Sequence, residues 1–200
     1  GDPKRHPVSK LRHRGLVNGN NNCFLNASIQ ILRAMPILHQ RLLDFPDTDE
    51  PPDEKIVTWA VSRTCKALQR DNGTDAFNPQ DLLEYFFSAV EDSHGFVFGE
   101  QGDMGLAVSA LLETMYKETK EKDGSSIVMS AQSWCQRKTT CPLCKYSSEV
   151  EVPSFVTHLM IPPGFAPKGS WPVDRLVKES LARTTTTQPC ESCAVRETAS

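Results

Sequence analysis

Five cysteines stand at spacings that can do chemistry. Cys141-Pro-Leu-Cys144 and Cys190-Glu-Ser-Cys193 form two CxxC pairs. Each pair offers two thiolates on one tight turn, and two such turns complete the closed tetrahedral shell of a structural zinc site, with no position left for water. The segment between the pairs is longer than a simple zinc ribbon uses, so a strand-and-helix excursion must leave the metal and return. A redox CxxC would instead open a helix directly after a strand. The fifth cysteine lies in Gly15-Leu-Val-Asn18-Gly-Asn-Asn-Asn22-Cys23-Phe-Leu-Asn26-Ala-Ser-Ile-Gln30. Glycine and asparagine do not readily carry a helix backward from Cys23, which places the thiol at a helix N-terminus. The partial positive charge there stabilises an anion, and the thiolate is the nucleophilic form. Nearby asparagine side chains and backbone N–H groups can line an oxyanion hole for acyl transfer. A cysteine at a helix start serves packing as readily as catalysis, so the residues alone leave both readings open. Cys65 sits on a helical apolar stripe and reads as a small buried hydrophobe, and Cys135 has no partner at ligand spacing.

The elements that must hold these groups are legible in the periodicity. Residues 23–35 read as a buried helix that ends before Pro36, followed by a short amphipathic piece (Ile37, Leu38, Leu42, Leu43) and an acidic, proline-rich loop over 44–53. Residues 54–70 carry a clean helical stripe. Asn78-Pro79 signals a helix start, with Asn78 as N-cap and Pro79 at the first helical position. That helix buries Leu82, Leu83, Phe86, Phe87 and Val90, and a further one presents Leu106, Leu111, Leu112 and Met115. From Ile127 onward the pattern alternates, as in Val150 and Val152 against Glu149 and Glu151, and continues through Val156, His158 and Met160. Pro153 marks an edge or bulge. A last amphipathic helix is expected near Val173–Leu181. The expected class is α+β: a basic flexible tail (1–14), a helical lobe (15–125) and a strand-rich, metal-bearing lobe (126–200).

Composition narrows the setting. A chain of 200 residues with a net charge of −3 implies no nucleic-acid partner, and the basic tail reads as a solvated segment. No apolar run approaches the roughly 20 residues of a membrane span, and no signal-peptide core opens the chain. The expected location is therefore the cytoplasm or nucleus, where the seven cysteines stay thiols or bind metal.

Four segments carry a family resemblance. The stretch GLVNGNNNCFLNASIQIL resembles the cysteine box of ubiquitin-specific proteases, G-L-x-N-x-G-N-T-C-[FY]-x-N-[SA]-x-[LI]-Q; QDLLEYF from Gln80 resembles their Q-D-A-[HQ]-E-F-[LF] segment. The stretch from Arg137 to Ile161 is similar to the first zinc-finger strand pair, and Val173 to Cys193 to the following helix and second CxxC. The resemblance implies a papain-like right hand, truncated before the rest of the palm, with a helical thumb and zinc-bearing fingers that grip ubiquitin. It implies that Cys23 is the nucleophile, that Asn18 donates to the oxyanion, and that Gln80 and Asp81 shape the thumb beside the ubiquitin tail. It further implies structural zinc on Cys141, Cys144, Cys190 and Cys193. One departure is plain: the Gly-Asn-Thr before the cysteine is Asn20-Asn21-Asn22, which is also reminiscent of viral papain-like proteases.

A thiolate enzyme needs a histidine, which this family takes from a C-terminal Gly-His-Tyr-type box absent before Ser200. The chain is thus expected to be a fragment lacking its general base. His158, 135 residues after Cys23, lies between the zinc pairs rather than in a catalytic position; His39 and His94 read as surface residues. The rival readings are a catalytically inactive ubiquitin-binding pseudo-protease and a bare zinc scaffold.

Overall fold

Proline and asparagine set the breaks between the helices. α1 (Cys23–Ala34) stops because Met35 precedes Pro36 and takes an extended conformation (φ −89°, ψ 101°); Pro36 then opens α2 (Pro36–Leu43). α3 (Ile56–Gln69), α4 (Gln80–His94) and α5 (Met104–Thr119) follow, then a 3-10 turn (Met129–Ala131), the strands β1 (Ser133–Thr140) and β2 (Ser147–Ser154), and α6 (Val173–Ser180). The computed structural model describes residues 14–69, 75–156, 172–180, 190, 192 and 193. The expectations for residues 1–13, for the strand continuing through His158 and Met160, and for Leu181 lie outside the described residues.

The chain divides into two units, at Gln132 and Ser133. In the first, α3 is the central helix, packed against α2, α4 and α5 and buried at Val57, Trp59, Ala60, Val61, Cys65 and Leu68. α1 contributes Phe24, Leu25, Ile29 and Leu32, and α5 contributes Ala107, Val108, Leu111, Leu112 and Met115. Among the described residues, no helix is long and apolar enough to cross a membrane. The segment expected to start the strands at Ile127 instead completes this helical unit. Val128 is buried, Thr119 and Ser126 share a buried hydroxyl contact, and Arg41 donates to the carbonyls of Ser126 and Ile127.

In the second unit, β1 and β2 form a two-stranded antiparallel sheet from Ser133↔Ser154 to Thr140↔Ser147. Pro153 pairs in register with Trp134, so it sits in an edge strand without a bulge.

Four sequence expectations need correction. α4 starts at Gln80, with Pro79 rather than Asn78 at the cap position. Leu106 is exposed, because the apolar face of α5 turns through Ala107 and Val108. Arg14 does not belong to a free tail: its Nε donates to the Asp75 carbonyl at 2.6 Å, and its guanidinium lies over the Phe77 ring. Neither His39 nor His94 is a simple surface group. His94 Nε2 lies 3.6 Å from Glu113 Oε2, and His39 Nε2 is buried without a hydrogen-bond partner among the described residues.

The start of α3 is capped from another helix. Glu118 of α5 accepts from Val57 N (3.0 Å), Thr58 N (2.7 Å) and the Thr58 hydroxyl. A carboxylate there satisfies N–H groups that α3 cannot pair internally. Glu118→Ala should therefore destabilise the protein by about 1–3 kcal/mol, read from denaturant midpoints; a loss within error would remove this cap from the fold's support.

Burial lowers the His39 pKa, and the Arg33 guanidinium adds to the shift. The folded pKa thus lies below the unfolded value of 6.5. Unfolding takes up a proton, so stability present at neutral pH declines as pH falls through the unfolded value, and levels off once folded His39 also titrates. His39→Gln should flatten the fall in thermal midpoint between about pH 7 and pH 5; an unchanged pH slope would contradict this origin.

Candidate active site and metal centre

The approach to Cys23 is built from a left-handed turn. Asn20 and Asn21 have φ of 52° and 60°, and Asn22 N donates to the Gly19 carbonyl at 3.3 Å. Positive φ at both central residues is the type I′ pattern, and asparagine tolerates it better than other non-glycine residues. The departure from the Gly-Asn-Thr pattern has a physical reading here: Asn20 occupies a left-handed position that glycine accepts most easily, and asparagine keeps that conformation open. The chain then enters α1, of which exposed Cys23 is the first residue. Asn22, the cap residue, makes no side-chain cap hydrogen bond, so its side chain does not occupy the N–H groups of the first turn.

The turn is held at its entrance. Leu16 and Phe77 form a parallel bridge, with Val17 N donating to the Phe77 carbonyl (2.8 Å) and Phe77 N to the Gly15 carbonyl (2.9 Å). Asn26 Nδ2, one turn into α1, donates to the Val17 carbonyl at 3.1 Å. This fixes the backbone just before Asn18, which is exposed. Asn26 was visible in the sequence as part of the cysteine box, but its function as a tie needed coordinates.

The other implied substrate residues lie on the first turn of α4. Gln80 and Asp81 are both exposed; Gln80 Nε2 donates to Glu84 Oε1 at 2.8 Å, and Asp81 lies 3.8 Å from the Arg63 guanidinium. Arg63 in turn stacks over Trp59 of α3. These residues form a solvent-facing polar row that recruits both helices.

In the second unit, Cys141, Cys144, Cys190 and Cys193 bring their sulfurs within 4.8 Å of one another, and the four could hold a metal ion. Cys141 Sγ lies 3.9 Å from Cys193 Sγ, and Cys144 Sγ lies 3.7 Å from Cys190 Sγ. Zinc–sulfur bonds of about 2.3 Å in a tetrahedron give sulfur–sulfur edges of about 3.8 Å, so the donor set fits zinc. The turn that presents the first pair closes with Cys141 N donating to the Tyr146 carbonyl (2.9 Å) and Lys145 N to the Cys141 carbonyl (3.1 Å), with Lys145 in the left-handed region at φ 63°. Its N–H groups also face sulfur. The Tyr146 N–H pulls Cys144 down to about 6, and the Cys144 and Leu143 N–H groups lower Cys141. Cys193 is pushed up to about 12, chiefly by its hydrogen bond with Cys144. Thiolate character is therefore built into the 141–146 turn. Cys65, by contrast, is fully buried in α3, and burial pushes its thiol up to about 12. Cys135 pairs across the sheet with Val152, away from the four-sulfur group by register.

A family model described as ubiquitin carboxyl-terminal hydrolase matches residues 14–191, from Arg14 through the asparagine turn, α1 and α4 to the second CxxC. No curated protein matches the chain.

Replacement of Cys141 or Cys190 by serine should abolish zinc retention and lower the thermal midpoint, because a structural metal contributes folding free energy directly. Metal analysis of the purified variants, with a melt before and after chelation, reads both effects; a melt indifferent to chelation would exclude a structural metal here.

Proposed function

Because the chain belongs to the ubiquitin carboxyl-terminal hydrolase family, with the deubiquitinating hydrolase activity that membership carries, we propose that Cys23 is the nucleophile that cleaves (iso)peptide bonds after the C-terminal glycine of ubiquitin. The single observation that carries this reading is an exposed cysteine as the first residue of a helix, entered through a left-handed asparagine turn. The helix N-terminus favours the thiolate. Its sulfur attacks the glycine carbonyl carbon, and the negative charge moves to the carbonyl oxygen. Asn18 and the first-turn N–H groups of α1 donate to that oxygen. The intermediate collapses, the carbon–nitrogen bond breaks, and the lysine or α-amine leaves with a proton from an imidazolium. Water then hydrolyses the thioester and frees the carboxylate.

The imidazole must reach Cys23, and in the family it belongs to the C-terminal box. His39 is ill suited to this duty, with Nε2 buried and its pKa held down by that burial and, secondarily, by Arg33. His94 is engaged with Glu113. Gln80 and Asp81 are proposed to line the path of the ubiquitin tail, where Asp81 offers a carboxylate to a basic tail and Gln80 an amide to its backbone. The four-cysteine site is proposed to hold structural zinc that folds the fingers. A reducing setting in the cytoplasm or nucleus would keep Cys23 and the four metal-type cysteines as thiols or metal ligands.

A ubiquitin vinyl-sulfone probe tests the reading. Labelling of the protein joined to the family's C-terminal histidine box, lost in Cys23→Ser, is expected; ubiquitin binding without labelling of that protein would point to an inactive binding module instead. Asn18→Ala should slow acylation by roughly 10²–10³-fold without preventing binding, and a parental rate would remove Asn18 from the oxyanion hole.

A further inference from the structure

The two sides of Cys23 are fastened to one and the same loop. On the N-terminal side, Asn21 Nδ2 donates to the Gly99 carbonyl at 3.0 Å, across 78 positions of sequence. On the C-terminal side, the Phe24 ring stacks flat on Phe96, with centroids 5.5 Å apart and planes at 3°. Gly102 closes the same loop onto Phe24 so tightly that a Cβ there would lie 2.8 Å from the ring, a spacing only glycine permits. Just beyond, the Ser28 hydroxyl reaches the Met104 carbonyl at 3.4 Å, and Asp103 caps α5 through Leu106 N. Phe96 is itself wedged against Phe86 of α4, at 5.4 Å between centroids. The loop over 95–103 is thus anchored in the buried core and braces both neighbours of the thiol.

Of these contacts, the Asn21 hydrogen bond is the one that a turn does not need for itself. Asn21 satisfies the left-handed backbone simply by being asparagine. Its side chain is spent on a distant carbonyl, although asparagine in a turn more often bonds its own backbone. A tether from the turn to a braced loop fixes the direction in which the chain enters α1, and so the position of Sγ against the helix N–H groups.

We propose that Asn21 is a positioning residue, and that its hydrogen bond to the Gly99 carbonyl makes the 95–103 loop a strut for the nucleophile. This rests on Cys23 being the reactive thiol. The strut acts on the attack itself and leaves ubiquitin recognition to other surfaces.

Asn21→Gly and Asn21→Asp separate tether from turn, since glycine and aspartate both accept positive φ but neither can donate to the Gly99 carbonyl. The protein joined to the family's C-terminal histidine box is treated with ubiquitin vinyl sulfone, and the inactivation rate at saturation is separated from the half-saturating concentration. Both variants should lose about 10- to 100-fold in the saturating rate with little change in half-saturation, while thermal midpoints hold. If Asn21 served only the turn, Asn21→Gly would react like the parent. Alkylation of Cys23 by iodoacetamide, followed by mass spectrometry, needs no ubiquitin and should slow several-fold in both variants. Parental iodoacetamide rates in both variants overturn the strut. A parent protein that carries the C-terminal histidine box and still ignores the ubiquitin probe sinks the hydrolase reading, and the iodoacetamide comparison still decides the strut.

Discussion

The backbone between Gly19 and Cys23 runs through two consecutive left-handed residues, and the helical unit is arranged to keep it there. Left-handed backbone costs an ordinary L-residue about 1–2 kcal/mol, and asparagine lessens that cost. The rest of the constraint comes from outside the turn: the Leu16–Phe77 bridge and the Asn26 tie before it, and the aromatic stack behind it. Cys23 is exposed at the point where this fixed path becomes a helix. An exposed thiol with a rigid approach is a demanding arrangement, and most of the first unit's sequence can be read as meeting it.

The rigidity is drawn from a core of large side chains. Phe24, Phe86, Phe87 and Phe96 pack in mutual contact, and all four are buried. Edge-to-face and stacked pairs are worth about 0.5–1.5 kcal/mol beyond the area they bury. Because Phe24 follows Cys23 directly, part of that packing acts one residue from the exposed thiol. At the far edge of the cluster Phe98 touches Phe87 yet remains half exposed, at 52%. The same loop therefore joins a dry interior to a wet rim beside the site.

Much of this was readable in the sequence where period or spacing dominates. The α1 stripe, the Pro36 break, the α3 stripe with its buried Cys65 and the grouping of the four metal-type cysteines follow from residue type at fixed intervals. α4 begins one residue later than the Asn-Pro signal indicates, because Asn78 and Pro79 compete for one cap. Leu106 lies off the buried face because its neighbours Ala107 and Val108, small residues with a weak periodic signal, fill the interface instead. The segment from Ile127, expected to begin the strands, docks on the helices through Gln132, since Ser126 finds Thr119 and Arg41 finds two carbonyls. Long-range hydrogen bonds such as Asn21 to Gly99 or Glu118 to Thr58 leave no local trace, because the partner is set by the fold and not by the interval.

The second unit obeys a different economy. A lone two-stranded hairpin is marginal in water, and this one exposes Trp134 and Val150, with a cross-strand Lys138–Glu149 pair adding little at the surface. Among the described residues, the turn that closes its end carries the first cysteine pair. β1 runs directly into Cys141, and β2 begins just past Tyr146, so the pairing of Thr140 with Ser147 and the Cys141–Tyr146 hydrogen bond set the geometry of the first cysteine pair. A slip of one residue in the strand register would flip alternate side chains and displace that turn. The positions of Cys141 and Cys144 and the strand register are thus two statements of one constraint: a metal held by the four cysteines would also favour this pairing of the sheet.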